Sequence, residues 1–198
     1  VILTCFANCE PFGFLTRRTP VCMLPVLNKS LMEHLLEQCA DHGLTRIRIA
    51  LLEHPRPVRE FVGNGERWGL DIHTWNFREP CDDEVLVRRL AEGKSGPVLI
   101  VPAETLIDVD LKAVQAFHEQ GPQSVTRVHA RQAYLLKATS DARPESGQIP
   151  CTGPMLDTGI RVVNPPSESP SHEGVFECAG TWLRVDHPTK LWEANIAA

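Results

Sequence analysis

The 198-residue chain predicts an α/β fold built on a largely parallel sheet, and three observations carry that prediction. Short apolar strands alternate with amphipathic helices through the first 121 residues. Pro97-Val98-Leu99-Ile100-Val101 is apolar throughout and flanked by Gly96 and Pro102, the pattern of a strand covered on both faces. Helix starts coincide with capping residues such as Ser30, Asp82 or Asp83, and Asp110. Strand, helix, strand at this cadence means βαβ units with right-handed crossovers.

In chain order, Val1-Ile2-Leu3 reads as a buried strand, and a loop with Pro11, Pro20 and Pro25 follows. Ser30 then caps a helix whose stripe is Leu31, Met32, Leu35, Leu36 and Cys39. Glu33 is placed to close a capping box on the Ser30 amide, and Gly43 stands at the left-handed C-cap. Arg46–Leu52 is a strand, and Pro57 opens a short helix carrying Val58, Phe61 and Val62 that Gly63 and Gly65 end. Leu70–Trp75 is the next strand, before a helix with Val85, Leu86 and Leu90 inward. The helix beginning near Asp110 carries Leu111, Val114 and Phe117. Beyond it the pattern is strand-rich, at Ser124–Ala130, Ala133–Ala138 and Gly159–Val163. Thr139–Pro150 reads as a mobile loop and Pro165–Ser171 as a Pro/Ser connection. Pro188 suits the first turn of a last helix with Leu191, Trp192 and Ile196.

Composition narrows the function classes. The 42 % apolar and 23 % charged residues exclude extended disorder and fibrous repeats. Twenty Lys+Arg against 25 Asp+Glu give a net charge of −5, which argues against a nucleic-acid partner. No apolar run approaches the ~18–20 residues of a membrane span, and no signal layout opens the chain, so a cytoplasmic domain is expected. Seven cysteines with no CxxC pair predict reduced, mostly buried thiols rather than a disulfide framework or zinc ribbon. The eight histidines are scattered, with no i, i+4 pair on a predicted helix. Asp108-Val109-Asp110 has the form of an Asp-x-Asp metal site, but N-capping by Asp110 accounts for it. Asp82-Asp83-Glu84 is read as an acidic first helical turn.

Met23-Leu24-Pro25-Val26-Leu27-Asn28-Lys29-Ser30-Leu31-Met32-Glu33-His34 resembles the run after the catalytic loop in sugar-1-phosphate nucleotidyltransferases, the nucleotide-sugar pyrophosphorylases. Asp41-His42-Gly43-Leu44, Val58-Arg59-Glu60-Phe61 and Trp68-Gly69-Leu70-Asp71-Ile72 continue the match. Ile107–Leu111, Thr158-Gly159-Ile160 and Trp182 with Asp186-His187-Pro188 complete it in the family's order. The resemblance implies a three-layer α/β/α fold with a mixed, mainly parallel sheet, similar to the glycosyltransferase-A-like fold. It further implies one domain over 1–198, with a nucleotide-side half at 1–121 and a reduced sugar-side half at 122–198.

Members of that family join a sugar 1-phosphate to a nucleoside triphosphate and release pyrophosphate. Such a site needs a glycine-rich loop, cations on phosphates and acidic residues for Mg²⁺. Here Thr4–Pro11 has no glycine before Gly13 and no arginine before Arg17, leaving Arg17 and Arg18 as substitutes. Pro20-Val21-Cys22 lacks the phosphate-binding lysine; Lys29 is the remaining candidate. The base-binding turn reads Pro80-Cys81-Asp82-Asp83-Glu84-Val85. Glu104 aligns near the first metal aspartate and is the candidate metal and substrate ligand, with Asp157, Thr158 and Gly159 as further substrate-binding candidates. Arg184 falls where the second metal acid belongs, and no Glu-Lys-Pro sugar motif lies between Ala130 and Asp157.

The resulting expectation is a nucleotidyltransferase-like domain that has lost catalysis and serves as a binding, regulatory or assembly module in nucleotide-sugar or polysaccharide biosynthesis. One alternative is an active transferase using Mg²⁺ with Glu104, Arg17, Arg18 and Lys29 in displaced roles. Another is a structural domain of a longer protein, since the family often appends a module near where Ala198 falls. Expected partners are a nucleotide or sugar nucleotide and a protein partner or appended domain.

Overall fold

Central strands that must be covered on both sides organise the protein, whose computed structural model describes residues 1–91, 96–132, 155–164 and 172–197. The first half contains β1 (Ile2–Cys5), a hairpin of β2 (Pro25–Val26) and β3 (Lys29–Ser30), α1 (Leu31–Asp41), β4 (Arg46–Leu51), α2 (Pro55–Val62) and β5 (Asp71–Asn76). Then come α3 (Asp83–Leu90), β6 (Val98–Pro102), β7 (Thr105–Ile107) and α4 (Leu111–Gln120). The chain continues through β8 (Val125–Gln132), β9 (Met155–Val163), β10 (Glu173–Arg184) and α5 (Pro188–Ala197).

One eight-stranded sheet has the order β5-β4-β1-β6-β9-β8-β10-β7. β5, β4, β1 and β6 are parallel, whereas β9 runs antiparallel to both β6 and β8. β10 is parallel to β8 and antiparallel to β7. The sheet is therefore mixed and mainly parallel, as expected.

Alternation along the strands makes the layers. Leu3, Ile49, Leu51 and Val101 join a core with Leu35 and Leu36 of α1, Val58 of α2 and Val114 of α4. Their neighbours Ile2, Ala50 and Ile100 turn to the opposite face, where Leu86, Val87 and Leu90 of α3 cover them. A third apolar cluster joins residues 9–31 to the end of β10 and to α5 through Phe12, Val21, Leu183, Val185 and Ala194.

The predicted caps form. Ser30 Oγ accepts from the Glu33 N–H at 3.1 Å, Asp82 caps α3 at 2.9 Å, and Asp110 caps α4 at 3.0 Å. Gly43 has φ +67° just past α1, where a side chain would be strained. Leu27 and Asn28 both have positive φ, as the two-residue turn between β2 and β3 requires.

Other expectations need correction. The Glu33 carboxylate accepts from Arg67 Nη2 at 2.5 Å rather than reaching back to Ser30. His118, not Phe117, is the buried residue in the last turn of α4, because Thr126 Oγ1 and Asn164 Oδ1 satisfy its ring nitrogens at 2.9 and 3.0 Å. Trp192 is 56 % exposed, and Leu191 and Ala194 make the inner contacts of α5. β7 and β10 carry no strong sequence pattern, since β7 has three residues and β10 is interrupted by Gly174, Gly180 and charged positions. Ala133–Ala138, Thr139–Pro150, Cys151 and Pro165–Ser171 lie outside the described residues.

The two-sided core predicts that Ile49→Ala, at a fully buried site, costs about 3 kcal/mol, whereas Ser30→Ala costs about 1 kcal/mol through its cap. Urea denaturation midpoints compare them; equal losses would contradict this division.

Candidate functional site

Ligands of open α/β sheets bind beyond the carboxyl ends of the strands. Here that region is formed by the segments after β1, β5 and β6, joined by the ends of β9 and β10. What fills it follows from the residues after Cys5.

Glu10–Thr16 folds as short 3₁₀ turns rather than an open loop. The Phe12 N–H and the Thr16 hydroxyl both bond the Cys9 carbonyl, at 3.1 and 2.6 Å. Cys9 and Phe12 are buried against Val21, Leu24, Val26 and Leu31, and the cluster closes on Leu183 and Val185. Side chains thus occupy space that a phosphate cradle leaves to bare backbone. Both thiols here are shifted toward their protonated form. A hydrogen bond with Cys22, together with burial, raises the Cys5 pKa. Burial and the neighbouring Glu53 push Cys9 up to about 12.

Glu104 follows β6 and is 2 % exposed. Its turn is fixed by Ala103 N–H donating to the Thr4 carbonyl at 2.9 Å and Val185 N–H donating to the Glu104 carbonyl at 2.8 Å. Arg184 Nη2 donates to Glu104 Oε1 at 3.5 Å, while the buried Oε2 has no partner among the described residues. Burial raises the Glu104 pKa from 4.5 to about 7 despite the pull of Arg184, and Asp186 adds to the rise. Mg²⁺ demands near-octahedral oxygen ligation with several hard ligands. A single carboxyl, half protonated near neutrality and shared with a guanidinium, does not fit it. No group of three or more His, Cys, Asp or Glu among the described residues is arranged to hold a metal ion.

At the N-terminus of α3, Asp82 is the cap and Glu84 pairs with Arg88. Asp83 is met by Arg161 of β9, with Nε 2.7 Å from Oδ2 and Nη2 2.9 Å from Oδ1. This ion pair lies at the turn that the sequence resemblance aligns with the family's base-binding turn. Arg161 is the contact that sequence reasoning missed. Its signal was the acidic triplet, which needs a cation, together with one arginine between Ile160 and Val162.

The remaining candidates separate. Lys29 Nζ donates to both Glu37 oxygens at 2.7 Å, so its ammonium is engaged on α1. Arg17 and Arg18 are exposed at the end of the 3₁₀ segment. The Thr158 hydroxyl is buried and donates to the Val128 carbonyl at 2.8 Å. Asp157 accepts from the Gly159 N–H at 2.8 Å and from Arg127 at 3.4 Å. Gly159, at φ +77°, sits against the Pro102 ring, which a Cβ would meet at 3.1 Å. β9 therefore runs close beside the end of β6, two residues before Glu104. Of the sequence candidates, Gly159 and Glu104 share this strand end. Lys29 is held elsewhere.

A mixed, mainly parallel sheet with helices on both faces is the α/β architecture that nucleotidyltransferase structures share. The chain belongs to the nucleotidyl transferase family, whose model matches residues 14–134. It is 26 % identical over 120 residues to a UTP–glucose-1-phosphate uridylyltransferase of Synechocystis sp.. That alignment covers 54 % of this chain and 30 % of the relative, so the chain spans under a third of the relative's length. Similar solved structures include a Bacillus anthracis protein assigned as a glucose-1-phosphate thymidylyltransferase, in complex with sucrose. It has TM-score 0.75 and 14 % identity, covering 98 % of this chain and 93 % of that one. Yersinia pseudotuberculosis HddC complexed with GMP-PN has TM-score 0.71 and 11 % identity, with 98 % and 97 % covered. The expected family and fold class are thereby established. No helix among the described residues is long and apolar enough to cross a membrane.

Because the Glu104 pKa is raised on folding, its carboxyl favours the folded state at low pH and loses that advantage as pH rises from 4.5 through about 7. The full change amounts to roughly 3 kcal/mol. Glu104→Gln is expected to remove this slope and to exceed the wild type in stability at alkaline pH. Urea midpoints across that range measure it, and an unchanged slope in the variant would refute the assignment.

Proposed function

We propose that this single nucleotidyltransferase-fold domain, residues 1–198, no longer transfers nucleotidyl groups and acts as a binding or assembly module in nucleotide-sugar metabolism. One observation carries the reading: the segment after β1 is a packed apolar cluster centred on Cys9 and Phe12. A phosphate-holding loop needs backbone N–H groups open to the ligand and a nearby cation. Supporting it, Cys22 presents a buried thiol in place of the family's lysine, and Asp83 with Arg161 fills the place of the base-binding turn. The ligand class consistent with the family is a nucleotide or sugar nucleotide, held in the 1–121 half. A protein partner or an appended domain in polysaccharide precursor biosynthesis would give such a module its context.

A second reading draws on the exposed Arg17 and Arg18, the cations that a working site would recruit beside Glu104. Pyrophosphate release from UTP or dTTP with glucose 1-phosphate and Mg²⁺ separates the two. The expected rate equals that of Glu104→Ala. Turnover that Glu104→Ala abolishes would overturn the proposal and favour the active enzyme.

A further inference from the structure

We infer that residues 10–18 form a self-complementary docking surface on which a second copy of this chain seats across a two-fold axis. Phe14 and Leu15 meet their counterparts there, and Glu10 of each copy meets Arg18 of the other. This gives the assembly reading, on which it rests, a specific partner. Exposure is the first observation. Phe14 is 76 % exposed, and Leu15, Leu27 and Trp192 are exposed as well. Four of the seven large apolar side chains exposed among the described residues thus stand on residues 9–31 and α5, the segments that one apolar cluster joins. Asn195, three residues past Trp192, accepts from the Leu27 N–H at 3.1 Å and so holds α5 against the β2–β3 turn. Apolar surface gathered in this way, rather than scattered singly, marks a contact.

The tip is also rigid. The Thr16 hydroxyl and the Phe12 N–H are both tied to the Cys9 carbonyl, and Gly13, at φ +54°, breaks the 3₁₀ run between the buried Phe12 and the outward Phe14. An aromatic side chain held on a fixed backbone loses little freedom on docking, and aromatic and arginine side chains dominate interface energetics. Charge order then selects the occupant. Glu10, Arg17 and Arg18 are exposed, and none of the three has an ion-pair partner among the described residues, unlike Lys29 and Asp83. Glu10 stands four residues before Phe14 and Arg18 four residues after it. A two-fold axis passing beside Phe14 reverses that order in the partner, so each end finds the opposite charge. Such an isologous contact closes at two copies instead of growing into a filament. The net charge of −5 opposes it only weakly, because repulsion between exposed charges is screened beyond ~8 Å at physiological ionic strength. Two arginines, at about 1 kcal/mol each, are too few to hold an acidic chain on an anionic bilayer.

Sedimentation velocity of the full chain without nucleotide tests the inference. Wild type is expected to pass from monomer to dimer as its concentration rises to about 0.5 mM, and Phe14→Ser to weaken the dimer at least about tenfold. Glu10→Arg and the double variant Arg17→Glu/Arg18→Glu should each stay monomeric. Their equimolar mixture should dimerise again, since the two reversed charge sets complement each other, and misfolded variants could not show that rescue. A wild type that is monomeric throughout the range would overturn the inference, and so would a dimer that these substitutions leave unchanged. A monomer that instead co-sediments with phosphatidylglycerol vesicles would overturn it in favour of a membrane surface. The outcomes remain distinguishable from those of the pyrophosphate assay: Glu104-dependent turnover strikes the reading beneath, whereas a monomeric wild type without turnover strikes the dimer alone.

Discussion

A sheet covered on both faces leaves only its strand ends for chemistry, and that constraint governs the molecule. β1, β4 and β6 send alternate side chains into two apolar layers, so a charge that enters mid-strand must be met there, as Arg48 of β4 is by Asp71 at 3.3 Å. Other charges collect where the strands stop. Glu104 lies past β6, Asp83 begins the helix after β5, and Arg184 ends β10. The burial that stabilises the domain also fixes the position of each charge.

Each of these charges is met by another from the chain. Glu104 has Arg184, Asp83 has Arg161, and Lys29 has Glu37. Glu104 is the deeply buried member, and removing Arg184 would leave its charge unpaired, whereas Lys29 and Glu37 are exposed and their pair contributes little. The pairs therefore act more as fixtures than as sources of stability. A cleft built to receive phosphate and metal would hold its charges unsatisfied until the ligand arrived. Here Asp83 and Lys29 are already satisfied, and Glu104 Oε2 is the conspicuous remainder.

Local signals made most of the fold legible in the sequence. Ser30, Asp82 and Asp110 cap their helices because a side-chain oxygen one residue before a helix bonds orphan amides whatever the tertiary context. The apolar run at 97–101 could belong only to a central strand. β7 and β10 escaped because their burial depends on partners distant in the chain, and β10 mixes Val175 with Glu173 and Glu177 on its solvated side. The site was legible in part. The opposite signs at positions 104 and 184 are visible without coordinates, whereas the Arg161–Asp83 pair spans 78 residues and needs the β6–β9 register to bring it together. Phe117 and Trp192 follow the apolar pattern of their helices yet are exposed, because helical periodicity fixes a face only to within one position. His118 reverses the choice with two hydrogen bonds that composition does not reveal.

The segment after β1 shows why fold and chemistry can part. A phosphate loop contributes little to packing, since its glycines exist to bring backbone near a ligand. Here the apolar ends of β10 and α5 lie beside the segment and favour a sequence that buries surface. Cys9 and Phe12 do this against Val21, Leu183 and Ala194. The gain is hydrophobic, on the order of 1.5–3 kcal/mol for each large side chain fully removed from water. It also joins the two ends of the chain, because α5 reaches the β2–β3 turn through Asn195, which accepts from the Leu27 N–H at 3.1 Å. A loop selected for openness and one selected for burial are thus alternative uses of the same position. Glycines in place of Cys9 and Phe12 would therefore remove a piece of the core.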